Sequence, residues 1–160
     1  MVITPAAWHA RGAGSPENRA VLIAALVQTV ATVLLAGIAW TVQVVVYPAF
    51  ALVPAGSWAR YHAAHSRAIT LVVGPPWVAQ GLATATLLVL APGEPLVWVA
   101  AVAAAAGVAV TLPAVSLHGR LDPAAHPGDL RRLLRVNLVR GLVWSAGSVV
   151  GVLLTTASGA

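Results

Sequence analysis

The chain has 160 residues, 59% of them hydrophobic and only 8% charged, with a formal net charge of +5. A soluble domain needs more polar surface than this to cover its core, so lipid is the expected solvent. The charge comes from Arg without Lys, and no Cys is present, which excludes thiol redox chemistry, structural disulfides and thiolate metal sites.

Residues 1–20, rich in Gly, Pro and Arg, read as a mobile polar tail. Four apolar runs follow, at 21–46, 68–91, 96–117 and 133–156, none with Asp, Glu or Lys, and 157–160 form a short C-terminal tail. Each run meets the ~20 residues of helix that a bilayer core requires. The runs are continuous rather than alternating in period two, and open strands cannot satisfy their hydrogen bonds in lipid. The expected fold is therefore an all-α, integral membrane four-helix bundle. The first run exceeds the ~7 to 15 residues of a signal-peptide core and reads as a retained helix.

Linkers fall where turn formers cluster: 47–57, the Pro-Gly-Glu-Pro turn at 92–95, and 118–129. Ser57 is an expected N-cap, with 58–67 as an amphipathic extension of the second helix and 130–135 as the equivalent lead into the fourth. Arg60, Arg67, Arg120, Arg131, Arg132 and Arg135 belong to the side shared by the first and third loops, against Arg11 and Arg19 on the other. The positive-inside rule then predicts a multi-pass protein of the cell membrane with cytoplasmic first and third loops and both termini outside. Arginines so placed mark topology or meet anionic headgroups of the lipid bilayer; no nucleic acid partner is expected.

Residues three or four apart share a helix face. The first run carries Gln28, Thr32, Ala36, Ala39, Gln43 and Tyr47 on such a stripe, and the second His62, Ser66, Thr70, Gly74, Trp77, Gly81 and Thr84. The third carries Ala100, Ala104, Gly107, Thr111, Ala114 and His118, and the fourth Asn137, Arg140, Gly141, Trp144, Ser148, Gly151 and Thr155. Small and hydroxyl residues pack membrane helices closely, which accounts for most of these positions, and Gly147 with Gly151 suits a contact between copies of the chain. Pro75 and Pro76 interrupt the second helix and are expected to bend or open it.

The chemistry gathers at one end. Gln43 and Tyr47 close the first helix, His62 and His65 open the second, His118 closes the third, and Asn137 and Arg140 open the fourth, with His126 in the loop between the last two. Arg140 lies five residues beyond Arg135, ~7 Å deeper. A charge within a membrane helix costs roughly 2.5 to 3.5 kcal/mol at mid-span, which marks function or pairing; Asp122 is the nearest plausible carboxylate partner, and snorkelling to the headgroups is the alternative. His62, His65 and His118 are the candidate ligands of copper, iron, zinc or a haem, so the cofactor is either absent or a His-ligated metal.

The segments Tyr47-Pro48, Tyr61-His62-Ala63-Ala64-His65-Ser66-Arg67, Leu117-His118-Gly119-Arg120-Leu121 and Leu134-Arg135-Val136-Asn137-Leu138-Val139-Arg140 follow in an order that resembles a broad family of small bacterial four-helix membrane proteins. More distantly, the order resembles the anthrone oxygenase-like family, from which the histidine pair departs. That likeness implies a cofactor-independent oxygenase acting on a polycyclic anthrone at the membrane, with Asn137 and Arg140 matching its most recognisable segment.

The resulting expectation is an oxidoreductase or oxygenase for a lipophilic aromatic small molecule. His62 or His65 serves as base or ligand, Arg140 holds an oxyanion and Asn137 orients it, since fixed donors act strongly where water is excluded. Gln43, Tyr47, Trp77 and Trp144 are the expected substrate-binding side chains. The competing expectation is a non-catalytic assembly or lipid-contact protein whose polar groups form a structural network.

Overall fold

The computed structural model describes residues 15–121 and 127–159. Four helices are long and apolar enough to cross a membrane: α1 (Pro16–Phe50), α2 (Ala55–Leu90), α3 (Pro95–His118) and α4 (Pro127–Gly159). Large apolar side chains on all four point outward, among them Ile23, Val44, Leu71, Val89, Val102, Leu112 and Val149. The chain is a multi-pass membrane protein, because an apolar surface of this extent has no place in water. Residues 1–14 of the expected tail, and Asp122 and His126 of the third loop, lie outside the described residues.

Helix α1 starts earlier than the apolar run. Ser15 caps it by accepting from the Asn18 amide at 3.2 Å, Pro16 occupies the first turn where its missing N–H costs nothing, and Glu17 faces the positive end of the helix dipole. The helix also ends later than expected, because Pro48 does not stop it. Pro48 has no N–H for the Val44 carbonyl and its ring would crowd that oxygen, so the backbone widens into a π turn at Val42–Val46. The Tyr47 amide reaches back to the Val42 carbonyl, and α-helix resumes through Phe50.

The linker expected at 47–57 is thus reduced to the short turn between Phe50 and Ala55. Ser57 is not the cap of α2: Pro54 precedes the helix in an extended conformation, and the Ser57 amide bonds the Pro54 carbonyl at 2.9 Å inside the first turn. The expected leads at 58–67 and 130–135 are continuous with their membrane helices. Pro75 and Pro76 sit within α2, and Pro113 within α3, without ending either helix.

α1 packs most extensively on α4 and α2, and α3 on α4, while α2 and α3 make the sparsest contact of the neighbouring helix pairs. At the end carrying the α2–α3 turn, Val21, Ala25, Leu87, Val97, Ala100 and Leu154 form a buried cluster. At the opposite end Val42, Tyr47, Phe50, Trp58, Leu117, Leu121 and Leu133 form another. Between them Leu35, Ala36, Ala39 and Trp144 fill the centre.

Polar residues inside the bundle tie helices together. Gln80 Nε2 donates to Thr32 Oγ1 at 2.8 Å, Thr32 donates onward to the Gln28 carbonyl at 2.7 Å, and Thr29 meets Thr155 at 2.9 Å. Gly147 faces Thr32 and Ala103, and Gly151 lies against Thr29 and Gln28. The glycine pair expected between copies of the chain is therefore buried within one copy, where small residues let α4 approach α1. In the α2 stripe, Thr70 and Gly81 are exposed and Gln80 and Ala83 are buried instead.

Candidate active site

The polar end is assembled by three helix ends and one helix interior. The π turn adds a residue to the α1 backbone just before Tyr47, whose ring is buried among α2, α3 and α4. The Tyr47 hydroxyl lies 2.8 Å from Nε2 of His118, the last residue of α3. Nδ1 of His118 lies 3.1 Å from Nε2 of His62 on α2. Three side chains from three helices thus form one continuous hydrogen-bonded line.

An aromatic wall sets the ring orientations. His62 stacks on Trp58 at 4.9 Å and on His118 at 5.3 Å between centroids. Phe50 presents its edge to His65 at 5.0 Å and to Trp58 at 5.3 Å, and Trp58 Nε1 donates to the Leu121 carbonyl at 2.8 Å. Edge-to-face and offset contacts of this kind are each worth ~0.5 to 1.5 kcal/mol beyond area burial, enough to hold imidazoles in fixed poses.

Arg140 enters from α4. It is 8% exposed, its guanidinium sits 5.0 Å above the Trp144 ring, and its Nε has no hydrogen-bond partner among the described residues. Among the described residues, the groups it acts on electrostatically are the Tyr47 hydroxyl and the His118 ring. The ring face of Trp144 offsets part of the desolvation of the cation, by ~2 kcal/mol for a desolvated cation–π pair. Trp144 gains that position because Gly107 leaves room for its indole.

These groups surround a cavity of about 360 Å³. Tyr47, His65, Ser66 and His118 crowd its loop-one end and Arg140 lines one wall, while Val42, Ile69, Val73, Ala114 and Val115 supply apolar lining. Trp77 also lines it, about three turns along α2 from His65. The cavity lies between α2 and α3, the neighbouring helices that contact each other most sparsely. His65 lines it, and its Nε2 is buried with no hydrogen-bond partner among the described residues. Mostly apolar walls with a few convergent polar groups are the usual form of a small-molecule site.

The expected site residues divide. Tyr47, His65, Trp77, Arg140 and His118 line the cavity, and His62 stands behind His118. Trp144 supports Arg140 from below without lining the space. Asn137 and Gln43 do not reach it: Asn137 Nδ2 donates to the Ala39 carbonyl at 3.0 Å and to Gln43 Oε1 at 2.9 Å, a clasp between α4 and α1. In this arrangement the two side chains hold together the helices that carry Tyr47 and Arg140.

Of the histidines expected as metal ligands, His62 and His118 are engaged with each other, and His118 also with Tyr47. Among the described residues no group of three or more His, Cys, Asp or Glu is placed to hold a metal ion. A neutral imidazole has one donor and one acceptor nitrogen, and His118 directs both nitrogens at Tyr47 and His62. His62 and His118 face each other at 3.1 Å between ring nitrogens.

Sequence reasoning missed Phe50 and Trp58, which orient the histidines, and Ile69 and Val73 of the cavity wall. Tyr47, Phe50, Trp58 and Tyr61 fall within one short stretch around the first loop, a density of aromatic residues that was the available signal. No protein family, curated protein or solved structure matches the chain.

Proposed function

We propose that this membrane protein is an oxygenase or oxidoreductase for a lipophilic aromatic substrate that enters the cavity from the bilayer between α2 and α3. The observation that carries the reading is the buried Arg140, lining an otherwise largely apolar cavity beside Tyr47 and His65. A planar aromatic body fits the apolar walls and Trp77, and a carbonyl oxygen meets Arg140.

In this reading His65 Nε2 takes a proton from the carbon that is acidified by the carbonyl, and the electron pair moves onto oxygen. Arg140 holds the resulting enolate, its positive charge already fixed where negative charge develops. In the oxygenase form, dioxygen adds at the carbanion carbon and the peroxide receives the proton back from His65. Loss of water then leaves a second carbonyl: a CH2 group and O2 become C=O and H2O. The loops at this end are cytoplasmic by the distribution of arginines.

The test is oxygen uptake by the purified protein in nanodiscs supplied with an anthrone, beside an Arg140→Gln variant. Uptake with quinone formation, lost in a variant that still melts like the parent, supports the reading. Equal turnover by both proteins would remove Arg140 from the site, and absent parent turnover with a variant that fails to assemble favours a structural network instead.

A further inference from the structure

The line from Tyr47 to His118 to His62 starts at the cavity and runs away from it, because Tyr47 and His118 line the cavity and His62 does not. His62 is half-buried in the part of α2 that precedes the second apolar run, so its outer face reaches the loop-one surface. We infer that these three side chains are a proton relay joining the cavity to the aqueous face on the loop-one side.

Donor and acceptor counting makes the line directional. Arg140 has only donors and faces the Tyr47 oxygen, so the Tyr47 proton goes to an acceptor elsewhere, and His118 Nε2 at 2.8 Å is placed to receive it. His118 then carries its own proton on Nδ1 and donates to His62 Nε2 at 3.1 Å, which leaves the His62 Nδ1 proton for water. A proton arriving on the Tyr47 oxygen from the cavity displaces the phenolic proton to His118 Nε2. The His118 Nδ1 proton moves to His62 Nε2 and the His62 Nδ1 proton moves to water. One proton enters, one leaves, and all three groups end neutral with both imidazoles in the opposite tautomer.

Among the described residues, the titratable groups facing the line are His65 and Arg140. His65 shares the cavity with Tyr47 and stacks over His118 at 6.1 Å, and Arg140 stabilises the phenolate that forms transiently as the proton passes. Trp58 stacks on His62 and fixes its plane. Use of the relay in turnover rests on the proposed enolisation, since it lets the substrate proton equilibrate with water while the enolate waits for its oxidant. The relay itself does not rest on it, and its test needs no substrate.

The chain has two tyrosines, so Tyr61→Phe leaves Tyr47 as the only phenol. In that background, in nanodiscs, an alkaline pH jump is followed by tyrosinate absorbance, with and without His62→Ala. The relay predicts that His62→Ala slows Tyr47 ionisation by about a hundredfold, the lower range for a positioned proton-transfer group, with the final amplitude unchanged. Added imidazole should restore the rate. An unchanged rate overturns the relay, and so does a slowed rate that imidazole fails to rescue, because a merely structural His62 would behave that way.

Discussion

Gly107 and Trp144 approach so closely that a Cβ at position 107 would lie 2.7 Å from the indole Nε1. No Cβ tolerates that distance, so the indole has to move if one is added. Trp144 carries the guanidinium of Arg140 on its face, and the glycine therefore positions a charge on a neighbouring helix.

Gly107→Ala should displace Trp144 and with it Arg140, at a stability cost of ~1 to 3 kcal/mol typical of overpacking. The account expects turnover to fall further than melting temperature, because the cation moves before the bundle fails. Steady-state oxygen uptake beside thermal melting in the same detergent checks this.

Asn137→Ala removes the donor that ties the Ala39 carbonyl and Gln43 to α4. Each buried partner left without a hydrogen bond costs ~1 to 3 kcal/mol, so a clear loss of stability is expected. The paired change Asn137→Leu with Gln43→Leu should recover part of it, because no polar group is then stranded on either side chain. A double-mutant cycle of denaturation in mixed micelles separates the two.

Gly151→Ala would place a methyl 2.7 Å from Thr29 Oγ1 and 3.0 Å from Gln28 Oε1. The outcome expected is weaker packing of α1 on α4 within each molecule, seen as earlier unfolding with no change in mass by light scattering. Conversion of an oligomer to a monomer would show that this face meets a second copy.

Pro48→Ala restores the N–H that the Val44 carbonyl lacks and removes the cause of the π turn. Relaxation to regular α-helix should rotate Tyr47 away from His118 and lengthen their 2.8 Å contact. The expected signature is a changed His118 tautomer by nitrogen NMR, together with reduced turnover in a protein that keeps its helical content.

Much of the architecture was legible because bilayer thickness fixes helix length and composition alone distinguishes lipid from water as solvent. The depth of Arg140, and the gathering of Tyr47, His65 and His118 at one end, also followed from span order. Pro48 was misread, since a local rule says that proline stops a helix, whereas tertiary packing of Tyr47 and Phe50 sustains the chain through a π turn. Asn137 lies on the buried stripe as expected, and its neighbour there is Gln43, which the stripe alone did not specify. Periodicity gives the face of a helix and not which neighbour that face meets. Gly147 and Gly151 show the same ambiguity, because close packing within a chain and between chains needs the same small residues.

The central claim is that Arg140 receives the negative end of a lipophilic aromatic ligand. Its most direct measurement is the affinity of the parent and of Arg140→Gln in nanodiscs for two probes of matched size, an anthracene carboxylate and anthracene itself, read by tryptophan fluorescence. Loss of a charge-assisted contact worth ~1.5 to 3 kcal/mol should weaken the carboxylate by about tenfold or more and leave the hydrocarbon nearly unchanged. Equal carboxylate affinity in the two proteins would contradict the account and leave Arg140 a structural cation.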